Sequence, residues 1–394
     1  MRLVWGNRRM AYFGNDAVNR INAHSAMQAV ASSGAGVFFV VFLLRLGLSV
    51  PVALVTVAAI MALRFLLRPL VLPLAKRWGL KPLLIAGALT LAAQYPLLMC
   101  VTGVDATLVV LTLVAAIGDV LYWSSYNAYF AAVGDAEHRG KQLGVREALN
   151  SAAGVLAPLA SASALLVMGP GPIFIVAGLI QASAILPLMG APNVAIDTDA
   201  REDVRSHRIG AMLYAADGWF DACFVFVWQV ALFVSLGSDL AAFGGAVAFA
   251  GLIGAVGSPF LGRFLDQGHA RRAAPYAYGF AAIVVLLRAA SIQSPWFALG
   301  ANALGGLAMP LLLPVVGVAT YNIAKAAACP LRFQIVAEGG WDVGCALACL
   351  ASAALVALGM PLAVTLLFAL PPLLLGARLL RRHFGARQLD DALA

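Results

Sequence analysis

The stretch LPLAKRWGLK at 72–81 places three basic residues between two long apolar runs. A second charged stretch, GRFLDQGHARR at 262–272, starts 190 residues later (262 − 72) and also lies between apolar runs. It carries an acid, Asp266, where the first stretch carries Lys76. Because a run of about 20 apolar residues crosses a bilayer, the sequence predicts membrane spans joined by short charged connections.

The composition supports the same interpretation along the whole chain. Hydrophobic residues make up 62% of the 394 residues, charged residues make up 11%, and the mean hydropathy is +0.91. Soluble domains carry about 25% charged residues, well above the fraction found here. The strands of β-barrels alternate polar with apolar residues and are only about 10 residues long, whereas the apolar runs of this sequence are continuous and longer. An all-α polytopic protein embedded in the lipid bilayer is therefore predicted.

The formal charge of +8 is explained by the excess of Lys and Arg that marks the cytoplasmic loops of membrane proteins, so no nucleic-acid partner is expected. The five cysteines form no CxxC or zinc pattern, and the sequence lacks a P-loop, GxSxG and HExxH. No enzyme activity, metal or cofactor is expected. A monomer is expected.

Twelve apolar runs divide the sequence into candidate spans. They are 24–46, 51–74, 82–102, 106–131, 147–168, 172–192, 210–236, 240–262, 274–291, 296–323, 334–357 and 361–380. The long polar segment NVAIDTDAREDVRSHR separates the sixth from the seventh. The predicted domains are an N-terminal six-helix bundle at 1–192, a cytoplasmic linker at 193–208 and a C-terminal six-helix bundle at 209–394.

The distribution of basic residues gives the orientation. With the N-terminus inside, the six short external connections contain neither Lys nor Arg, as the positive-inside rule requires. We expect a multi-pass protein of a bacterial inner membrane with both termini in the cytoplasm.

The two halves resemble each other in sequence. GVREALNSAAGVLAPLASA at 144–162 aligns without gaps on IVAEGGWDVGCALACLASA at 335–353, so that Glu147 falls on Glu338. The pair YN at 126–127 recurs at 321–322. Two parallel six-helix repeats are indicated.

Six-plus-six spans, a polar linker and a charged turn after spans two and eight resemble the major facilitator superfamily. That family's motif G-x-L-A-D-R-x-G-R-K matches 72–81 at Leu74, Ala75, Arg77, Gly79 and Lys81, whereas Lys76 replaces its Asp. The resemblance implies that spans one, four, seven and ten line a cavity between the halves and that substrate binds near the midplane.

The seventh span carries Asp217 and Asp221, which share one helical face because they are four residues apart. Ionisable groups within a membrane are costly and usually functional. Two close carboxylates in a low dielectric favour protonation of one of them, as proton coupling needs. Alternatively, Asp217 lies among the lipid headgroups or caps an unwound turn at Gly218.

Asp119 in the fourth span and Arg64 in the second are predicted at similar depth. One interpretation is a structural ion pair, because each charge offsets the cost of burying the other. The other makes Asp119 a proton or substrate site.

Polar and aromatic residues on the cavity spans complete the candidate substrate site and favour an amphipathic organic solute. They are His24 and Gln28 on span one, Trp123, Tyr126 and Asn127 on span four, Trp219 and Gln229 on span seven, and Asn302 and Asn322 on span ten.

The function expected from these features is secondary active transport of a small organic solute by alternating access, as a proton-coupled efflux antiporter. The alternatives are proton-coupled uptake of a sugar or carboxylate metabolite, and a membrane scaffold or receptor that does not transport.

The charged stretches are predicted to act as latches between the halves, with compensated signs. Lys76 and Arg77 would pair with Glu338 and Asp342 at the start of span eleven, and Asp266 would pair with Arg146 at the start of span five. The alternative is that Lys76 only adds to the cytoplasmic positive charge.

The latch predicts that Lys76→Glu shifts the protein toward its inward-open state, because like charges then face each other. Adding Glu338→Lys should restore the original population, as measured from distances between paired spin labels. A double variant no closer to wild type than the single variant would exclude the latch.

Overall fold

Every element in the described part of the protein is helical. The computed structural model describes residues 14–135, 139–195, 204–264, 270–326 and 330–393. The α-helices are α1 Asp16–Gly34, α2 Phe39–Arg45, α3 Val50–Leu67, α4 Val71–Trp78, α5 Leu80–Met99, α6 Ala106–Val133, α7 Arg139–Met168, α8 Pro170–Ser183, α9 Leu186–Met189, α10 Val204–Asp221, α11 Trp228–Ser235, α12 Leu240–Phe264, α13 Ala270–Ser291, α14 Pro295–Ala326, α15 Pro330–Ala357, α16 Leu362–Leu367 and α17 Leu370–Leu393. Short 3-10 turns occupy Gly36–Phe38 and Arg68–Leu70, and a π-helical segment at Ala222–Val227 joins α10 to α11.

Within these residues, eleven helical segments are long and apolar enough to cross a membrane. A shorter apolar helix at Pro275–Ser291 coincides with the predicted ninth span and completes a set of twelve. The prediction of an all-α polytopic membrane protein is confirmed.

Local sequence signals fix several helix ends. The side chain of Asp105 accepts a hydrogen bond from the Leu108 amide (3.0 Å) and so starts α6. Gly79 ends α4 in the positive-φ region (φ 82°), which glycine adopts without strain. Asn193 holds this turn, because its amide donates to the Trp78 carbonyl (2.9 Å) and its side-chain oxygen accepts from the Lys81 amide (3.2 Å). The charged turn at Gly79 is thus held by a side chain that is distant in sequence.

The chain forms two compact units. Unit 1 comprises Met1–Val37, Leu67–Val101 and Asp105–Thr198, and unit 2 comprises Phe38–Leu66, Thr102–Val104 and Asp199–Ala394. The sequence instead assigns 38–66 to the bundle at 1–192, and the predicted six-plus-six boundaries stay a prediction. Of the predicted linker, residues 196–203 lie outside the described ranges.

In unit 1, α5 and α6 pack closely because glycines face the opposite helix. A Cβ added at Gly87 would lie about 2.5 Å from the Tyr122 backbone nitrogen, and one at Gly118 would lie 2.9 Å from the Leu91 side chain. Tyr122 and Leu91 are both buried in the core of this unit.

Unit 2 contains an even closer pair, α10 and α15. Added Cβ atoms at Gly218, Gly340 and Gly344 would collide with the carbonyl oxygens of Trp341, Ala211 and Ala215, respectively. Small residues permit such backbone-to-backbone packing between membrane helices. We call this contact the glycine seam; it sets the register of the acidic α10 against α15.

The glycine seam predicts that Gly344→Ala lowers the free energy of unfolding by about 1–3 kcal/mol, the usual cost of overpacking. The matched control is Gly245→Ala on α12, where an added Cβ meets nothing within 4 Å. Because alanine is the better helix former by about 1 kcal/mol, the control should be neutral or stabilising. Reversible unfolding in detergent measures both, and equal losses would contradict the seam.

Candidate functional site

The candidate site in unit 2 begins with the two acids near the end of α10. Asp217 and Asp221 are one helical turn apart and half-buried. The π-helical segment Ala222–Val227 starts immediately after Asp221. Single π-helical turns inside α-helices occur frequently at functional sites.

Asp221 is linked through Trp341 to a buried ion pair. The Trp341 indole Nε1 donates a hydrogen bond to Asp221 Oδ2 (3.1 Å). The guanidinium carbon of Arg64 lies 5.4 Å from the centre of the Trp341 ring, within cation–π distance. Arg64 Nε lies 3.1 Å from Asp342 Oδ1. We call Asp217, Asp221, Trp341, Arg64 and Asp342 the acidic cluster.

The ion pair at the end of this cluster is deeply buried. Arg64 is 7% exposed and Asp342 is 0% exposed. A charge in low dielectric is tolerated when it is paired, so each of these residues stabilises the other. Both lie in unit 2.

Asp217 opens onto a narrow pocket within the same unit. The pocket is bounded by Leu213 and Phe220 of α10, Tyr278 of α13 and Leu373 of α17. Among the residues that line it, Asp217 and Tyr278 carry the polar side-chain groups. The pocket has a volume of about 10 Å³, which is room for about one water molecule, so a proton entering it would meet a carboxylate in a mostly apolar environment.

The latch candidates have local partners in the structure. Asp342 is buried against Arg64, and Glu338, 8% exposed, accepts a hydrogen bond from Gln334 (2.9 Å). Arg146 contacts Glu147, its neighbour in sequence, at 2.6 Å.

The remaining residues of the predicted latch are either exposed or outside the residues that the structure describes. Lys76 and Arg77 are exposed at the end of α4, and Arg77 lies 5.9 Å from the Trp78 ring. Asp266 lies outside the described residues. The latch stays a prediction.

His24 on α1 is fixed inside unit 1. It is 0% exposed, and its Nδ1 lies 2.7 Å from the Ala184 carbonyl oxygen. Its ring centre lies 5.6 Å from that of Tyr122 and 6.4 Å from that of Tyr126. Gln28, one turn further along α1, is also buried. These contacts favour a role for His24 in packing α1 against its neighbours.

The candidates on α6 differ in their exposure. Trp123 is 39% exposed and Tyr126 is 2% exposed, while Asp119 and Asn127 are half-buried. The guanidinium carbon of Arg146 lies 5.9 Å from the Tyr126 ring. The predicted pairing of Asp119 with Arg64 stays a prediction.

The candidate residues on the seventh and tenth spans form hydrogen bonds to other helices of unit 2. The Trp219 indole donates to the Phe368 carbonyl (3.1 Å). Trp228 donates to Asn302 Oδ1 (2.9 Å), and the Asn302 amide donates to the Ala246 carbonyl (2.8 Å). Asn302 thus ties three helices together. Gln229 is half-buried, and the side chain of Asn322 lies outside the description.

Two residues of this region were not selected as site candidates from the sequence. Trp341 gives no signal, because an aromatic residue in an apolar run is usually a packing residue. Arg288 does give one, a charge within a span, and it is 4% exposed. Its Nη1 donates to the Phe224 carbonyl (2.6 Å), and its guanidinium lies 3.9 Å from the Phe224 ring and 4.6 Å from the Trp228 ring.

The acidic cluster predicts energetic coupling between Arg64 and Asp342. In a double-mutant cycle with Arg64→Gln and Asp342→Asn, we expect a coupling free energy of about 0.5–3 kcal/mol, as for contacting residues. The matched control is Arg146→Gln with Glu147→Gln, whose carboxylate is 56% exposed. Exposed pairs contribute about 0–1 kcal/mol. Unfolding measurements giving no more coupling for the first pair would contradict the cluster.

Comparisons with known proteins agree with this architecture. Residues 25–207 match the family model of the Major Facilitator Superfamily. The crystal structure of the human organic anion transporter MFSD10 (TETRAN) is similar to this chain, with a TM-score of 0.67 and 16% sequence identity. That match covers 93% of this chain and 99% of the human one. No curated protein matches the sequence. Residues 25–207 therefore carry the sequence pattern of the Major Facilitator Superfamily, and the chain as a whole shares the fold of the human protein.

Proposed function

We propose that this membrane transporter moves a small amphipathic organic solute outward in exchange for protons, and that Asp217 and Asp221 carry the protons. The observation that carries the proposal is the excess of negative charge in the acidic cluster, which contains three carboxylates and one guanidinium. Charges in the membrane interior are expensive. A proton on one carboxylate reduces that cost, so the cluster has a physical reason to bind one.

The link through Trp341 supports coupling of this proton to the rest of unit 2. A carboxylate at Asp221 accepts the Trp341 hydrogen bond, and the same ring faces Arg64. Protonation of Asp221 weakens that charge-assisted hydrogen bond. It also changes the field at Arg64, whose ion-pair partner Asp342 follows Trp341 in sequence. Protonation and the contact that Arg64 makes from α3 with α15 therefore influence each other.

The pocket beside Asp217 has a volume of about 10 Å³, which is room for about one water molecule, so it supports the proton part of the proposal and not a solute site. Its wall is apolar except for Asp217 and the phenol of Tyr278. A carboxylate in so small and apolar a pocket favours the binding of a proton.

A second candidate is transport of an organic anion. The human structure that is similar to this chain is described as that of an organic anion transporter, and buried Arg64 and Arg288 would suit anionic groups. The acidic cluster favours the first candidate. A panel of organic cations, anions and neutral solutes in proteoliposomes distinguishes the two.

Location and assembly belong to the same proposal. The external connections lack Lys and Arg, which supports cytoplasmic termini under the positive-inside rule. We propose a monomer in a bacterial inner membrane.

The proton role predicts that Asp217→Asn combined with Asp221→Asn abolishes flux driven by a pH gradient, because neither amide titrates. Exchange of the identified substrate across the membrane without a gradient should persist. Proteoliposomes with and without an imposed pH gradient provide the measurement. The matched control is Asp16→Asn on α1, which removes a carboxylate that is 72% exposed and should leave both fluxes unchanged. Undiminished gradient-driven flux in the double variant would exclude the proposed proton carriers.

A further inference from the structure

An apolar groove runs between α13 and α17 of unit 2, apart from the acidic cluster. On α13 it is lined by Pro275, Gly279 and Ala282, which are spaced four and three residues apart. That spacing puts them on one face of the helix. Tyr278 of the same helix also reaches the groove and separates it from the pocket beside Asp217.

The α17 side of the groove shows the same helical spacing. Leu370, Leu374, Ala377 and Arg381 all line it, and their spacings of four, three and four residues again define one face. The two helices therefore present matching apolar faces that end in one basic residue.

The groove is open because the facing side chains are small. A Cβ added at Gly279 would meet nothing within 4 Å, and Ala282 and Ala377 contribute only methyl groups. Interiors of proteins are otherwise close-packed. The space between these two faces is thus available to an apolar occupant.

The length and charge of the groove match one leaflet of a bilayer. From Leu370 to Arg381 the helix rises about 16 Å at 1.5 Å per residue, which is roughly half of the 30 Å hydrocarbon core. Arg381 is exposed. It lies at the end that the distribution of basic residues assigns to the cytoplasm, where the leaflet is rich in anionic lipids.

We propose that this groove binds one acyl chain of an anionic phospholipid, whose phosphate pairs with Arg381. An acyl chain would pack against the apolar residues of both helices, and a guanidinium binds phosphate oxygens in a bidentate manner. The basic end and the apolar length together select a lipid over a free phosphate, which would gain nothing from the groove. The assignment does not depend on the proposed transport activity.

The test measures phosphatidylglycerol retained by the purified full-length protein after detergent exchange, with phosphatidylcholine as the neutral comparison. Wild type should retain phosphatidylglycerol in preference to phosphatidylcholine. In Arg381→Gln the affinity for phosphatidylglycerol should fall about fivefold, as expected for one basic residue near anionic lipid. The matched control is Arg378→Gln, an exposed arginine of α17 that does not line the groove and should behave as wild type.

A second variant tests the apolar part independently of charge. Gly279→Leu fills the groove and should displace the lipid without unfolding the protein, because the added side chain enters open space. Gly300→Leu on α14, where an added Cβ also meets nothing within 4 Å, should retain it. Size-exclusion chromatography verifies that all four variants are folded.

Several results would overturn the assignment. Equal losses in the two arginine variants would indicate general attraction to anionic lipid. Equal retention of the neutral lipid, or retention by Gly279→Leu, would exclude an acyl chain in the groove. Thermal stabilisation by inorganic phosphate as large as that by the lipid would identify a free-phosphate site. Conversion of a dimer to a monomer by Gly279→Leu would identify a second copy of the chain as the occupant.

Discussion

Direct backbone-to-backbone contact between α10 and α15 sets the geometry of unit 2. Where a side chain would hold two helices apart, Gly218, Gly340 and Gly344 let carbonyl oxygens of one helix touch the Cα atoms of the other. The short interaxial distance brings the Trp341 indole within reach of Asp221. Without the seam, the hydrogen bond that joins the acids of α10 to the ion pair of α15 would not form.

A single arginine then holds one acid of the cluster, Asp342, in place. Arg64 faces both the ring of Trp341 and the carboxylate of Asp342. Since the bilayer interior offers no water to solvate a charge, a buried arginine organises the groups around it. Arg288 likewise donates to the Phe224 carbonyl and lies against two aromatic rings, while its buried Nε has no hydrogen-bond partner among the described residues.

The spans and the acidic pair were predictable because each depends on local sequence. A bilayer requires a run of apolar residues whatever the neighbouring helices are, and Asp217 and Asp221 share a face by their spacing alone. Contacts between spans were not predictable in the same way. Hydropathy gives the depth of Arg64 but not the direction in which it points, so the sequence offers Asp119 as its partner by depth. The structure places Arg64 beside Asp342, which lies far along the chain, and the pairing with Asp119 stays a prediction.

The π-helical segment Ala222–Val227 has a consequence for how this chain is compared with others. A π-helical turn accommodates one residue more than an α-helical one, so it acts as a one-residue insertion within the span. Each residue of an α-helix turns by about 100°. A helical wheel drawn straight through the segment therefore assigns Trp228 and Gln229 to the wrong side relative to Asp217 and Asp221. An alignment of related transporters needs a gap at this point, and a relative that lacks the extra residue would turn a different set of side chains toward Asn302.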